Sequence, residues 1–306
     1  MKNKWGDFSL TDSFIYRGRF APSPTGQLHL GSLYTAVASF LDARAHQGQW
    51  LVRMDDLDTP RNYVGASDDI LRTLDVFGLH WDESVFYQSQ HAHRYQAVIK
   101  QLRQQQRIYP CICSRKNLAD ANSQGIYPQF CRDKVIAADK EVALRVKTTE
   151  QIIHFQDELQ GLTTHNLSTD EGDFIIQRKD KIIAYQLAVV VDDNQQRVNH
   201  VLRGMDLLTS TPRQLYLQKL LSFPTPNYLH SPIIMDEKGQ KLSKQTFAKA
   251  IDKHQPEKTL FYILELLKQQ PPVTLKGASV NELLNWAIAH WQVKNLQQVH
   301  AIQLKK

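Results

Sequence analysis

Residues 24–36 read PTGQLHLGSLYTA, a Pro/Gly turn that opens directly into an apolar-periodic stretch. Upstream of it, IYRGRFA (residues 15–21) has the β-branched and aromatic content of a strand. Downstream, the spacing predicts a helix over residues 30–45, with Leu30, Leu33, Tyr34, Val37, Phe40 and Leu41 on one stripe. A histidine between two glycines at the mouth of that helix has a physical reading. Backbone N–H groups at a helix N-terminus, together with the helix dipole, attract anions, and a turn without bulky side chains lets a phosphate chain come close. Gly26 and Gly31 give that access, His29 can donate to a phosphate oxygen, and Gly31 leaves room for a flat base against the helix start.

The alternation continues outward. QWLVRMDD (residues 49–56) reads as the next strand, and ASDDILRTLDVFG as a second helix with Ile70, Leu71, Leu74 and Phe77 facing inward and Gly78 as its stop. Strand, helix, strand, helix implies parallel strands with right-handed crossovers, an α/β nucleotide-binding architecture whose ligands sit at the carboxyl ends of the strands. From Tyr109 to Arg132 the apolar periodicity fails, as in an inserted loop or small subdomain. Beyond it ALRVK, DFIIQRKDKIIAYQLAVVVDD and NHVLRG read as strands, the second as a hairpin about Lys179 and Asp180. TPRQLYLQKLL is a helix with Pro in its first turn, and YLHSPIIM a late strand. The loop DEKGQKLSKQ and two helical segments, near residues 257–268 and 281–291, complete the chain.

With 306 residues and 42% hydrophobic content the chain can bury a large core. The longest apolar run, residues 182–191, is too short to span a bilayer, and the first ten residues lack the apolar segment of a signal peptide. These features predict a protein of the cytoplasm without a membrane partner, and nothing marks an assembly element, so a monomer is expected. A net charge of +6 is compatible with a polyanion partner without requiring one. Three cysteines, Cys111, Cys113 and Cys131, make an odd, clustered set, which argues against a disulfide framework and for testing a metal site.

Far downstream, GQKLSKQ (residues 239–245) sets Lys241 and Lys244 three residues apart around Ser243, suited to neutralising charge that builds on a leaving phosphate. Together, HLGS and KLSKQ resemble the paired HIGH and KMSKS signatures of class I aminoacyl-tRNA synthetases. RFAPSPTGQLHLGS, LVRMDDLDTPR and KLSKQ, in this order from Arg19 to Gln245, are similar to the glutamyl-tRNA synthetase branch. Only 61 residues follow Gln245 in the 306-residue chain, too few for the anticodon-binding domain of the full enzymes. Shortness, the cysteine-rich insertion and KLSKQ together resemble the glutamyl-Q tRNA(Asp) synthetase family.

The resemblance implies a Rossmann-type α/β catalytic domain with a small zinc-containing insertion and a short helical C-terminal part. Its division would be a tail over 1–14, the first catalytic half over 15–108, the Cys-rich zinc insertion over 109–135, the remainder of the insertion with the second catalytic half over 136–245, and a helical segment over 246–306. It implies an enzyme that activates L-glutamate with ATP and Mg2+ and transfers it to the queuosine base in the anticodon of tRNA(Asp). Two alternatives stand beside it: a truncated glutamyl-tRNA synthetase-like enzyme with another acceptor, and a non-catalytic RNA-binding paralogue. His29, Lys241 and Lys244 would be catalytic, and Gly26, Gly31 and Ser243 would join them around ATP. Arg19, Phe20, Ala21, Pro22, Ser23, Asp55, Tyr185 and Arg203 would hold glutamate, with Asp55 toward its ammonium.

Two departures stand out. Asp55 occupies a place where the family more often has glutamate, one methylene longer, and Ser32 replaces the second histidine of the class signature. For the metal, three thiolates leave a tetrahedral zinc one ligand short. The family's Y-x3-C arrangement supplies a tyrosine, matched here by Tyr127 and Cys131, so Cys111, Cys113, Tyr127 and Cys131 would hold one structural zinc. Three reduced core cysteines without metal, or zinc with a histidine or water as fourth ligand, are the other readings.

Overall fold

A computed structural model describes residues 15–114, 116–118, 126–242 and 250–304. Strand β1 (Arg17–Phe20) pairs in parallel with β2 (Gln49–Met54), and β2 with β3 (Phe86–Tyr87). Helix α1 (Leu30–Ala45), with the bounds its spacing predicts, and α2 (Ala66–Val76) make the crossovers. Gly78, at φ +67°, turns the chain just beyond α2, as expected of a glycine stop.

The stripe expected on α1 is wider in fact. Leu33, Tyr34, Val37, Phe40 and Leu41 are buried, and so are Ala36, Ala38, Ser39, Asp42 and Ala43. Small alanines let this helix be packed on nearly every side, and its buried Asp42 accepts from the Tyr16 hydroxyl (2.6 Å) and the Trp291 indole (2.8 Å).

The second half of the sheet comes from far along the chain. Helix α3 (Ala92–Gln104) and strands β4 (Ile108–Cys111), β5 (Ala143–Val146), β6 (Ile152–Asp157), β7 (Gly161–Asn166) and β8 (Ile175–Gln177) intervene. Helix α4 (Tyr185–Gln195), strand β9 (His200–Gly204), helix α5 (Thr211–Leu221) and strand β10 (Asn227–Ser231) follow. β9 and β10 are parallel, and the Asn199 amide donates to the Arg17 carbonyl (3.1 Å) to bring β9 alongside β1. The order β3-β2-β1-β9-β10 is that of a doubly wound Rossmann sheet, whose switch point lies between β1 and β9.

Three expectations need correction. The stretch after Ile183 is not the second arm of a strand hairpin but α4: the turn exists, with Gln177 bridged to Ile183, yet the chain becomes helical at Tyr185. Leu187 to Asp193 are all buried, so the run LAVVV sits in an apolar layer that rewards a compact helix over the β preference of its valines. YLHSPIIM is two strands, because Pro232 breaks the ladder; β11 (Ile233–Met235) leaves the main sheet and pairs with β12 (Ala301–Gln303). The C-terminal part therefore holds a strand as well as helices α6 (Pro256–Leu266) and α7 (Val280–Ala289), whose Leu260, Ile263, Leu264, Leu283 and Ala287 join the α1 core. No helix among the described residues is long and apolar enough to cross a membrane.

Candidate functional site

The carboxyl ends of β1 and β9 open a cleft of about 470 Å³ at the switch point. Its walls hold Arg19, Phe20, Ala21, Pro22 and Ser23 from β1 and the turn after it, His29 from the mouth of α1, Asp55, Tyr185, Arg203 and Lys241. A second hollow of about 200 Å³, floored by Gly31, Ile234 and Leu242, shares His29 and Lys241 with the first. Residues up to 222 positions apart in the chain, Arg19 and Lys241, are thus brought to one place. Gly26 lines neither hollow; at φ +132° it shapes the turn that delivers His29. Ser243 and Lys244 lie outside the described residues.

His29 is the N-cap of α1, and its Nδ1 accepts from the Ser32 amide (3.3 Å), which leaves the ring proton on Nε2. A Cβ at Gly31 would stand 3.2 Å from His29 Cε1 and 3.3 Å from Nδ1. Gly31 therefore makes room first for the histidine ring. Lys241 pairs with Asp206 at 2.5 Å on the rim.

The arginines differ in their partners. Arg19 is 4% exposed and is gripped by both oxygens of Asp193 (3.1 and 3.3 Å). The same Asp193 takes Arg53 (2.6 Å), which also holds Asp55 through Nε (2.8 Å). Burial pushes Asp193 up, but Arg19 and Arg53 outweigh it and hold the carboxyl below its ordinary range. For Asp55 burial wins: its pKa is raised, with Arg53 and Arg19 offsetting only part. Arg203, also 4% exposed, meets only neutral acceptors among the described residues, in Gln214 (2.8 Å), Thr211 (2.7 Å), His230 (3.0 Å) and Tyr185 (3.3 Å). A buried guanidinium without a carboxylate partner is a receptor for an anion.

Asp193, Gln214, Thr211 and His230 were not legible as site residues. One signal was present for Asp193: two acids, Asp192 and Asp193, end an apolar run at a helix C-terminus, where the dipole disfavours them unless cations wait nearby.

The three cysteine sulfurs lie within 4.8 Å of one another in a small apolar cluster apart from the main cores. Cys113 and Cys131 stand 3.6 Å apart, and the Tyr127 hydroxyl is 3.3 Å from Cys111 Sγ and 3.6 Å from Cys113 Sγ. Around a tetrahedral zinc, sulfur–sulfur edges are about 3.8 Å and sulfur–oxygen edges about 3.5 Å, from the usual bond lengths. The four donors fit the ion. Burial pushes the Cys131 thiol up, yet hydrogen bonds from Tyr127 and the Ile112 backbone outweigh it and bring it down to about 7. Arg145 stacks on the Tyr127 ring (3.7 Å to its centre) and donates to Cys111 Sγ (3.4 Å), adding a cation beside the anionic donors.

Residues 16–269 match the catalytic-domain family of class I tRNA synthetases (E and Q). A glutamyl-Q tRNA(Asp) synthetase of Thiobacillus denitrificans is 51% identical over 283 residues, spanning 91% of this chain and 94% of that protein. One from Neisseria meningitidis serogroup B is 46% identical over 296 residues, spanning 94% and 99%. Among solved structures, a glutamate tRNA ligase of Elizabethkingia meningosepticum superposes with TM-score 0.79 at 22% identity, over 95% of this chain and 67% of that one, which establishes the shared fold. With a catalytic-domain match over most of its length and relatives near half identity along nearly all of it, the chain belongs to the glutamyl-Q tRNA(Asp) synthetase family of class I tRNA synthetases.

Proposed function

We propose that the protein activates L-glutamate with ATP and Mg2+ and transfers it to the queuosine base in the anticodon of tRNA(Asp), in the cytoplasm. An α-carboxylate oxygen of glutamate attacks the α-phosphorus and pyrophosphate leaves. A hydroxyl of the queuosine ring then attacks the glutamyl carbonyl carbon; AMP leaves as the ester forms, and the hydroxyl proton is lost. The observation that carries this reading is Arg203, a buried cation whose partners among the described residues are neutral, which lines one cleft together with Asp55.

In this reading Arg203 and Tyr185 receive a carboxylate of glutamate, and Arg19, tied to Asp193, completes the cationic wall. Asp55 meets the ammonium. Its side chain is one methylene shorter than the family's glutamate, and the Arg53 bond holds it at the cleft wall. His29 donates from Nε2 to phosphate, and Lys241, with Lys244 and Ser243, neutralises charge on the leaving pyrophosphate. The α1 N-terminus at Gly31 adds its dipole. Cys111, Cys113, Tyr127 and Cys131 would hold a zinc ion whose contribution is structural, joining two ends of the insertion that have little apolar core of their own.

The test is transfer of labelled glutamate, with ATP and Mg2+, to bulk tRNA from cells able and unable to make queuosine. Label confined to queuosine-containing tRNA, in an alkali-labile ester, is the expected result. Label on both tRNA pools overturns the acceptor assignment in favour of 3′-end charging. Adenylate formation without transfer to either overturns it in favour of another acceptor.

A further inference from the structure

Behind Arg203 stands a pair of buried side chains that the reaction as described does not use. His230 and Asp157 are both fully buried, and His230 Nδ1 meets Asp157 Oδ2 at 2.5 Å. Asp157 Oδ1 is occupied elsewhere, accepting from the amides of Leu159, Gln160 and His230. On its other side the imidazole presents Nε2 to Arg203 Nε at 3.0 Å. An arginine N–H can only donate, so Nε2 must be the bare acceptor and the ring proton must sit on Nδ1, pointing at Asp157. The carboxylate fixes the tautomer; the tautomer fixes the arginine.

The remaining contacts of Arg203 divide by length. Thr211 Oγ1, which lies 3.2 Å from His230 Nε2, accepts from Nη2 at 2.7 Å, so histidine and threonine together occupy the Nε–Nη2 edge. Gln214 takes Nη1 at 2.8 Å. Two long contacts are left, Nη1 to the Tyr185 hydroxyl (3.3 Å) and Nη2 to the Leu207 carbonyl (3.5 Å), and both of these acceptors line the cleft. These weak bonds are the ones an incoming carboxylate can displace, and they lie on the terminal Nη1–Nη2 end of the guanidinium.

We infer that His230, oriented by Asp157, is a positioning residue that pins the Nε edge of Arg203 and thereby turns its Nη1–Nη2 end toward the substrate carboxylate. The inference rests on the proposed glutamate site. A carboxylate bound directly to Arg203 would give the same grip but would compete with the substrate for the cation. The neutral imidazole relays the anchoring while leaving Arg203 an uncompensated charge.

The test compares His230→Gln, whose amide oxygen can still accept from Arg203, with His230→Leu, which cannot accept. Glutamate binding is followed by calorimetry, and glutamate-dependent ATP–pyrophosphate exchange gives KM and kcat. His230→Leu is expected to weaken glutamate binding and raise KM for glutamate about tenfold, the size of one lost charge-assisted contact, with KM for ATP unchanged. His230→Gln should recover most of the loss. Equal effects of the two variants, or a loss shared by glutamate and ATP, overturn the positioning role. Should His230→Leu not fold, Asp157→Asn serves instead: an unchanged KM for glutamate overturns the proposal and a selective rise supports it. Absence of both glutamate binding and exchange in the unaltered chain overturns the reading of the site, and the positioning role with it.

Discussion

Substituting Gly31→Ala isolates what the glycine at the mouth of α1 does. Gly31 has no left-handed φ, so alanine can adopt its backbone. The added Cβ would meet His29 Cε1 at 3.2 Å and Nδ1 at 3.3 Å, with Ile234 Cβ behind it at 3.8 Å, so the histidine ring must yield by a few tenths of an ångström. That movement strains the 3.3 Å cap to Ser32, and loss of an N-cap costs about 1 kcal/mol. Alanine returns about 0.5–1 kcal/mol relative to glycine in a helix, so stability should change by less than about 1 kcal/mol. Activity has no such compensation. A misplacement of about 1 Å at a reacting group can cost about 100-fold, so a shift of a few tenths at Nε2 predicts a fall of about tenfold in glutamate-dependent ATP–pyrophosphate exchange. Thermal unfolding and exchange are measured on the same preparation. A variant that unfolds where the parent does and exchanges at the parental rate refutes the role given to the His29 ring.

Three further outcomes are expected. Because burial raises Asp55, glutamate affinity should fall as pH drops through a value above the ordinary carboxylate range of about 4, and Asp55→Asn should bind weakly with no such dependence; KM against pH decides it. Cys131→Ser should carry no zinc by elemental analysis, whereas Tyr127→Phe should retain it but release it to a chelator faster by roughly 10–100-fold; equal release from Tyr127→Phe and the parent would remove the tyrosine from the ligand set. Asp192, pushed up to about 7 mainly by burial, is protonated more readily folded than unfolded, so its contribution is full below about pH 4 and lost as pH rises through about 7. The loss is of the order of 4 kcal/mol, three pKa units, and Asp192→Asn should flatten the unfolding free energy over that interval.

What the sequence reveals tracks how local the cause is. The bounds of α1 follow from a turn and a stripe that are neighbours in the chain, and local signals likewise start α5, with Pro212 in its first turn, and α7, opened by the Ser279–Glu282 capping box. The antiparallel pair β6–β7 is local in the same way, since residues 152–157 alternate outward and inward ahead of the turn at Gly161. Helix α4 was not legible by pattern, because seven consecutive buried residues carry no periodicity. The cleft divides in the same way. His29, Lys241 and the cysteine cluster belong to short motifs, whereas Asp193 meets Arg19 from 174 positions away and His230 meets Asp157 from 73. Such pairs exist only once the sheet has formed.

That dependence explains why two arginines of equal burial serve different ends. Arg19 and Arg53 converge on Asp193, and removing one partner of such a buried pair costs about 3–5 kcal/mol, so this knot welds β1, β2 and α4 beneath the cleft. Its charges are largely spent on one another. Arg203 is placed by β9 on the far side of the switch point, where α5 and β10 supply it with oxygen and nitrogen acceptors that carry no charge. The fold thus bears the desolvation of that cation without neutralising it, which is unfavourable for the empty protein and is relieved by an anionic ligand. A carboxylate placed there answers the charge on Arg203, whereas a neutral group in the same position leaves it unanswered.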